Sequence, residues 1–307
     1  MKDKLIVILG PTATGKSKLG ISLAQELGTQ IISGDSMLVY RGMDIGTAKP
    51  AADELKRVRH HLVDILRPCE IFSAALFQKE AARLIAELNG KGMLPLLVGG
   101  TGLYIRSLLE GYDFSAPEAD PALRAQLEAF ADEFGDAALF ARLRALSAKA
   151  ASGIHPNNRR RVIRAIEAAT LGQGISREKQ RELVYDARVF GLYADRDFLY
   201  EKINQRVKNM FDAGLIEEVR GLMGAGVDKR APAMRGIGYK EVIEYMDGAC
   251  TLPECMRLVA RNTRRFAKRQ FTWYRKMPYI KWLKVEEGPS VKRLANIIRE
   301  NLWNERN

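Results

Sequence analysis

Eight residues near the N-terminus have the types and spacing of a phosphate-binding loop. Residues 10–17 match the pattern G-x-x-x-x-G-K-[ST] at every fixed position. In such a loop, backbone N–H groups and the positive end of the following helix surround a phosphate chain. The Lys16 ammonium adds a point charge, and the Ser17 hydroxyl suits Mg²⁺. The residues predicted to bind the phosphate chain are Gly10, Pro11, Thr12, Ala13, Thr14, Gly15, Lys16 and Ser17.

Two other segments bring polar side chains that suit the same ligand. Asp35 follows one short apolar segment, and Thr101 lies in the glycine-rich sequence 99–102 after another. Asp35 suits a general base or a metal ligand acting through water. It also suits a simple turn, so both interpretations stay open. Thr101 suits either a hydrogen bond to a ligand or the cap of the next helix, and three glycines in four residues favour the ligand.

Basic residues are concentrated in two parts of the chain. The net charge is +12, and residues 257–284 contribute +10 of it, with ten Lys and Arg and no Asp or Glu. Such a stretch favours a polyanion, above all nucleic acid. The aromatic residues between these basic ones suit stacking on unstacked RNA bases. A helix with aromatic residues in the protein core on one face and solvated basic residues on the other would show the same pattern. Arginines 159–161 open a predicted helix, where they oppose the helix dipole. This mild cost is explained if they hold phosphates, and a solvated helix face remains the alternative.

Alternating strands and helices are predicted to position these groups. The predicted strands are 4–9, 30–33, 61–65, 94–98, 187–193 and 280–285. The predicted helices of the same region are 16–27, 73–91, 197–212, 215–224, 239–247, 253–276 and 290–302. This order is typical of a parallel sheet covered on both faces by helices, and Ser73 suits the N-cap of its helix.

Residues 116–185 show only helical periodicity. The predicted fold class is therefore α/β, a P-loop-type parallel sheet flanked by helices, with an all-helical insertion. The predicted domains are a core of residues 1–115 and 186–307 and an insertion of residues 116–185.

Composition is that of a soluble globular protein. Of the 307 residues, 47% are hydrophobic and 28% are charged, which argues against a disordered or fibrous protein. No apolar run approaches the ~20 residues that cross a bilayer, and the first residues do not resemble a signal peptide. Three cysteines are too few for a disulfide framework or a zinc site. We therefore expect a cytoplasmic protein.

Seven stretches, in order along nearly the whole chain, resemble the tRNA dimethylallyltransferases, also called tRNA isopentenyltransferases. The most specific sequences are DSMLVYRGMDIGTAKP (35–50), within the matching stretch 33–50, and VGGTGLY (98–104), within the matching stretch 96–105. The other matching stretches are 10–17, 72–78, 154–167, 234–241 and 263–275. Two departures are minor. Lys202 stands where the family usually has arginine, and Gly236 where alanine or cysteine is common.

The resemblance implies a reaction. The dimethylallyl group of dimethylallyl diphosphate moves to the exocyclic N6 amine of the adenosine on the 3′ side of a tRNA anticodon. It implies that Asp35 takes a proton from this amine and that Thr101 contacts the diphosphate near the reacting carbon. Lys16 and Arg206 would hold the diphosphate from two sides. Mg²⁺ on Ser17 would stabilise the charge of the leaving group.

The resemblance also implies an RNA surface. The target base must leave the anticodon stack, as for other enzymes that act on a base. Met37 and Leu38 are expected to pack against bases, Gln270 to read neighbouring anticodon positions, and the insertion to contact the anticodon stem. The implied tRNA contacts are Asp35, Ser36, Met37, Leu38, Thr101, Leu123, Arg159, Arg160, Arg161, Val162, Ile163, Arg235, Gly236, Ile237, Gly238, Lys268, Arg269, Gln270, Trp273 and Arg275.

The expected partners are the anticodon stem-loop of tRNA and dimethylallyl diphosphate, with Mg²⁺ as cofactor, no membrane and a monomeric chain. Three other functions share the phosphate-binding loop: a nucleotide or small-molecule kinase, a prenyltransferase acting on free AMP, and an RNA-remodelling ATPase. The acid-free basic stretch argues against the first two. The ATPase would need a hydrolytic acid after an apolar strand, whereas strand 94–98 is followed by glycines.

Overall fold

The computed structural model describes residues 2–114, 120–170, 182–286 and 290–302. The chain forms two compact units. The first consists of Met1–Leu109 and Leu183–Asn307, and the second of Glu110–Glu182. The predicted boundary at residues 115 and 116 lies outside the described residues.

Six parallel strands form the sheet of the first unit, in the order β3-β2-β4-β1-β5-β6. The strands are β1 (Lys4–Leu9), β2 (Ile31–Ser33), β3 (His60–His61), β4 (Leu96–Gly99), β5 (Asp186–Tyr193) and β6 (Lys281–Lys284). The predicted parallel α/β sheet is confirmed. The prediction of a strand over 61–65 is wrong, because Leu62 and Asp64 adopt positive φ angles of 61° and 54° and end the strand.

Both faces of the sheet are buried, as the sequence of β1 illustrates. Because successive side chains of a strand point to opposite faces, Leu5, Val7 and Leu9 enter one hydrophobic core. Ile6 and Ile8 enter a second core on the other face. All five side chains are fully buried, which explains why this strand is a continuous apolar run.

Twelve α-helices are formed by the described residues. In chain order they are α1 (Lys16–Glu26), α2 (Ala52–Arg57), α3 (Ala74–Gly90), α4 (Gly102–Leu109), α5 (Pro121–Leu146), α6 (Ala148–Ala151), α7 (Arg159–Thr170), α8 (Arg196–Asp212), α9 (Leu215–Gly224), α10 (Tyr239–Met246), α11 (Leu252–Tyr274) and α12 (Ser290–Glu300). Helices α1 and α12 cover one face of the sheet, and α3, α4 and α8–α11 contribute to the core on the other. Ser73 caps α3 as predicted, since its hydroxyl accepts a hydrogen bond from the Leu76 N–H at 3.1 Å.

Helices α5, α6 and α7 build the second unit around a core of its own. Leu127, Leu139, Leu143 and Ile166 are among the side chains buried there. Helix α5 is interrupted at Gly135, whose φ of 85° and ψ of 163° are not helical. No helix within the described ranges is long and apolar enough to span a membrane.

Candidate active site

The loops after β1, β2 and β4 line a cavity of about 440 Å³ in the first unit. They meet there because the carboxyl ends of parallel strands lie at one edge of the sheet. The loops after β2 and β4 are in backbone contact, since a Cβ on Gly99 would lie 2.3 Å from the Gly34 carbonyl carbon. The predicted site residues that line the cavity are Thr12, Lys16, Ser17, Asp35, Ser36, Met37, Leu38, Thr101, Arg206, Arg235, Gly236, Ile237, Arg269 and Gln270.

Thr101 links two of these loops. Its Oγ1 accepts a hydrogen bond from the Ser36 N–H at 3.0 Å, and its own N–H donates to the Gly34 carbonyl at 3.1 Å. The neighbouring glycines are required by packing. A Cβ on Gly100 would lie 2.7 Å from the Gln270 amide nitrogen, and one on Gly102 would lie 3.0 Å from Trp273 Cβ. The three glycines thus have a structural explanation, and only the position of Thr101 in the cavity favours a ligand.

Lys16 and Arg206 place two partly buried cations in the cavity, on α1 and α8. Lys16 Nζ donates to the Pro11 carbonyl at 2.7 Å, and an Arg206 guanidinium N–H donates to the Thr47 carbonyl at 3.4 Å. Burial lowers the pKa of Lys16 to about 7, against the opposing effect of the Asp35 carboxylate. Burial also lowers the pKa of Arg206, and Asp35 again opposes it. The charge of Arg206 lowers the pKa of Lys16 further, and an anionic ligand would offset this repulsion.

Asp35 satisfies both interpretations that its sequence left open. Its Oδ1 accepts a hydrogen bond from the Met37 N–H at 2.8 Å, which is the turn interaction expected of an aspartate. The same side chain lines the cavity and interacts with both Lys16 and Arg206. The turn therefore holds the carboxylate beside the cations, where a proton acceptor is available to a bound ligand.

Gln270 is buried, with 5% of its surface exposed. Its Oε1 accepts a hydrogen bond from the Thr12 N–H at 2.9 Å, and its amide nitrogen donates to the Gly100 carbonyl at 2.7 Å. One turn further along α11, the Tyr274 hydroxyl donates to the same carbonyl at 2.7 Å. Both polar atoms of the Gln270 amide thus join α11 to the cavity loops. Because the amide has a second N–H and a second acceptor lone pair, and Gln270 lines the cavity, the expectation that it reads anticodon positions stays a prediction.

The basic stretch supplies exposed cations along α11, and its aromatic side chains are half-buried or buried. Arg265, Lys268 and Arg269 are exposed and form no ion pair within the described part of the chain. Tyr274 is fully buried, and the Phe271 ring lies 5.2 Å from that of Trp282. A core stripe and a basic surface therefore coexist on one helix.

Other predicted residues of the first unit lie around the cavity without lining it. Lys268 and Arg275 are exposed, Trp273 packs beside Gly102, and Gly238 precedes α10. The residues of the phosphate-binding loop in this group are Gly10, Pro11, Ala13, Thr14 and Gly15.

The remaining predicted tRNA contacts belong to the second unit. Arg159 is engaged by Asp132 and Asp136 of α5, and its guanidinium N–H donates to the latter at 2.6 Å. Val162 and Ile163 are buried in the core of this unit, so their side chains are not exposed to bind RNA. The exposed candidates are Arg160 and Arg161, with the half-buried Leu123.

Several cavity residues were absent from the sequence-based set. Gly46, Thr47 and Ala48 form part of the wall, and Tyr239 and Phe266 also line it. All five lie in stretches that carry the family resemblance, so that signal was sufficient to find them. Lys16, Ser17 and Arg206 also line a second cavity, of about 850 Å³.

The described residues contain no cluster of three or more His, Cys, Asp or Glu side chains that would hold a metal. Two oxygen donors nevertheless line the cavity together, the Ser17 hydroxyl and the Asp35 carboxylate. Mg²⁺ commonly takes one or two protein oxygens and completes its shell with phosphate oxygens and water. The donor set therefore fits a Mg²⁺ ion that arrives with a phosphate ligand.

Comparisons with known proteins give matches over most of the chain. A profile of the family described as IPP transferase matches residues 38–277. The tRNA dimethylallyltransferase of Carboxydothermus hydrogenoformans is 48% identical over 305 residues, which cover 98% of each chain. That of Geobacter sulfurreducens is 49% identical over 287 residues, covering 92% of each chain. The solved tRNA isopentenylpyrophosphate transferase of Bacillus halodurans has a TM-score of 0.74 at 43% identity, covering 98% of this chain and 97% of that one. The chain therefore belongs to the IPP transferase family, that of the tRNA dimethylallyltransferases, as its motifs indicated.

Proposed function

We propose that this protein transfers the dimethylallyl group of dimethylallyl diphosphate to the exocyclic N6 amine of the adenosine 3′-adjacent to the tRNA anticodon. One observation carries the proposal: a phosphate-binding loop, two partly buried cations and a carboxylate share a cavity beside helix α11, which carries the basic residues from position 257 onward. Relatives of high identity named tRNA dimethylallyltransferase support it.

The diphosphate of the donor fits between Lys16 and Arg206. Both cations have pKa values lowered by burial, so a dianionic group placed between them stabilises their charged forms. As the bond from carbon to the diphosphate oxygen breaks, negative charge grows on the leaving group. The two cations and the loop N–H groups are placed to stabilise that charge.

Asp35 suits the acceptor side of the reaction. The N6 amine of adenosine forms a bond to the allylic carbon, and the diphosphate leaves with the electron pair of the broken C–O bond. The amine nitrogen then carries an additional proton, which the Asp35 carboxylate accepts. The hydrogen bond from the Met37 N–H keeps that carboxylate oriented in the cavity.

Mg²⁺ is proposed as the cofactor, held on the protein side by the Ser17 hydroxyl and, through water, by Asp35. When bound, it would neutralise part of the diphosphate charge.

The exposed basic residues are proposed to bind the anticodon stem-loop. Arg269 and Arg235 are exposed at the cavity, where they suit phosphates next to a flipped base. Met37 is half-buried and suits apolar contact with that base. We propose that the α/β core and the helical insertion are separate domains. Arg160 and Arg161 of the insertion are proposed to bind phosphates of the anticodon stem.

The protein is further proposed to act as a monomer in the cytoplasm. Its three cysteines are all free thiols, which is typical of a reducing compartment. Light scattering of the purified protein at micromolar concentration tests the monomer.

The test is a paired transfer assay with radiolabelled dimethylallyl diphosphate and Mg²⁺. One reaction contains unmodified bulk tRNA, and the other contains AMP. We expect label in tRNA alone, and nuclease mapping to place it on one adenosine next to the anticodon. Label in AMP alone would identify an adenylate prenyltransferase. ATP consumption without label in either acceptor would support a kinase or ATPase.

A further inference from the structure

Glu218 on α9 lies behind one wall of the cavity. Its Oε2 accepts hydrogen bonds from the backbone N–H groups of Asp44 at 2.8 Å and Ile45 at 2.7 Å. Its Oε1 accepts from the Gly46 N–H at 3.0 Å and from the Tyr239 hydroxyl at 2.7 Å. One carboxylate therefore receives four hydrogen bonds, three of them from consecutive residues of a single loop.

That loop forms part of the cavity wall. Its residues Gly46, Thr47 and Ala48 line the cavity, whereas Glu218 does not. The Thr47 carbonyl accepts the hydrogen bond of the Arg206 guanidinium at 3.4 Å. Any shift of the loop therefore changes the position of Arg206, one of the two cations on the proposed diphosphate site.

We propose that Glu218 is a positioning residue for donor binding, which fixes loop 44–48 and, through the Thr47 carbonyl, the guanidinium of Arg206. This inference rests on the proposed function, because Arg206 is assigned there to the diphosphate.

The chemistry of the contact requires a carboxylate. Three backbone N–H groups converge on this side chain, so it must offer several acceptor lone pairs, which a carboxylate does. Hydrogen bonds to an ionised acceptor are also about twice as strong as those between neutral groups. An amide at position 218 would turn an NH₂ group toward one of these N–H donors. Aspartate would keep the charge, but it is one methylene shorter and would reach fewer donors.

Tyr239 also packs against this loop. A Cβ on Gly46 would lie 2.5 Å from atoms of the Tyr239 ring, so only glycine permits this approach. Burial raises the pKa of Tyr239, and the adjacent Glu218 carboxylate raises it further, so the hydroxyl stays a hydrogen-bond donor. The ring is fully buried and holds the hydroxyl toward the carboxylate.

Steady-state kinetics with the full chain test the assignment. Glu218→Gln is compared with Glu217→Gln, an exposed neighbour whose 3.7 Å ion pair with Arg220 lies on the surface. We expect the KM for dimethylallyl diphosphate to rise about tenfold in Glu218→Gln, the Kd for tRNA to change less than twofold, and Glu217→Gln to behave as wild type. Glu218→Asp should recover part of the loss.

A double-mutant cycle separates positioning from general structure. In an Arg206→Lys background, Glu218→Gln should raise the donor KM little further, because both changes act on the same contact. Gly46→Ala displaces the same loop independently and should reproduce the donor defect if Glu218→Gln does not fold.

Three results would overturn the assignment: a wild-type donor KM in Glu218→Gln, additive effects with Arg206→Lys, or a loss of tRNA affinity as large as that of donor affinity. An inactive wild type would instead refute the proposed function, and this inference with it.

Discussion

Replacing Gln270 by methionine tests the connection between the basic helix and the phosphate-binding loop. Methionine is close in length and shape but forms neither hydrogen bond. Two bonds of about 1 kcal/mol each are lost, and the Thr12 N–H keeps no partner, at about 1–3 kcal/mol. The Gly100 carbonyl retains the Tyr274 hydroxyl at 2.7 Å. Because methionine packs well in the buried site, we expect a net loss of about 2–4 kcal/mol in the free energy of unfolding.

The assay is urea unfolding followed by tryptophan fluorescence. Of the three tryptophans, Trp273 and Trp282 lie in the described part of the unit that contains the sheet, so their fluorescence reports on that unit. Gln205→Met is the matched control, since Gln205 is exposed and, among the described residues, its side chain bonds only to Asn209 one turn away, at 2.8 Å. That change should cost less than about 0.5 kcal/mol.

Unfolding of Gln270→Met and Gln205→Met at the same urea concentration would refute the stabilising role of the Gln270 hydrogen bonds. A loss of stability in Gln270→Met with no loss in Gln270→Glu would also refute it. In Gln270→Glu, the carboxylate can still accept a hydrogen bond from the Thr12 N–H, but its second oxygen faces the Gly100 carbonyl oxygen and repels it. We therefore expect this variant to be less stable than wild type.

Three other expectations concern single side chains. Asp35→Asn removes the proton-accepting carboxylate, so kcat should fall at least ~100-fold. The amide oxygen still accepts the turn hydrogen bond, so the tRNA affinity in a filter-binding assay should stay within about twofold of wild type. Near-normal turnover would exclude Asp35 as the general base. Burial lowers the pKa of Lys16 to about 7 in the free protein, and a bound diphosphate raises that pKa, so donor binding takes up a proton. The affinity for dimethylallyl diphosphate, measured by titration calorimetry, should therefore fall as the pH rises above about 7. Lys16→Arg should remove that part of the pH dependence, and identical profiles would contradict the assignment. Arg160→Gln should reduce the salt dependence of tRNA binding by about one unit of slope and leave the melting temperature of the protein unchanged. Arg159→Gln breaks three ion pairs, with Glu128, Asp132 and Asp136, and should lower the melting temperature; the reverse pattern would exchange the roles of the two arginines.

Local patterns were sufficient where neighbours in sequence determine the structure. The continuous apolar run of β1, the loop after it and the start of α1 at Lys16 are all predicted from adjacent residues. The strand predicted over 61–65 failed because an apolar run does not reveal a positive φ at Leu62. The burial of Val162 and Ile163 could not be predicted locally either, because it depends on packing against side chains of α5, a separate helix earlier in the chain.

The amino-acid sequence by itself determined the family, the α/β class and the presence of a phosphate-binding loop, since these depend on motifs and on the order of strands and helices. Only the tertiary structure decided how the polar groups are used. Thr12 and Gln270 are 258 residues apart, and Glu218 is 172–174 residues from the loop that it holds. A hydrogen bond depends on distances of a few ångströms, and no local pattern records which distant side chains the folded sheet brings that close.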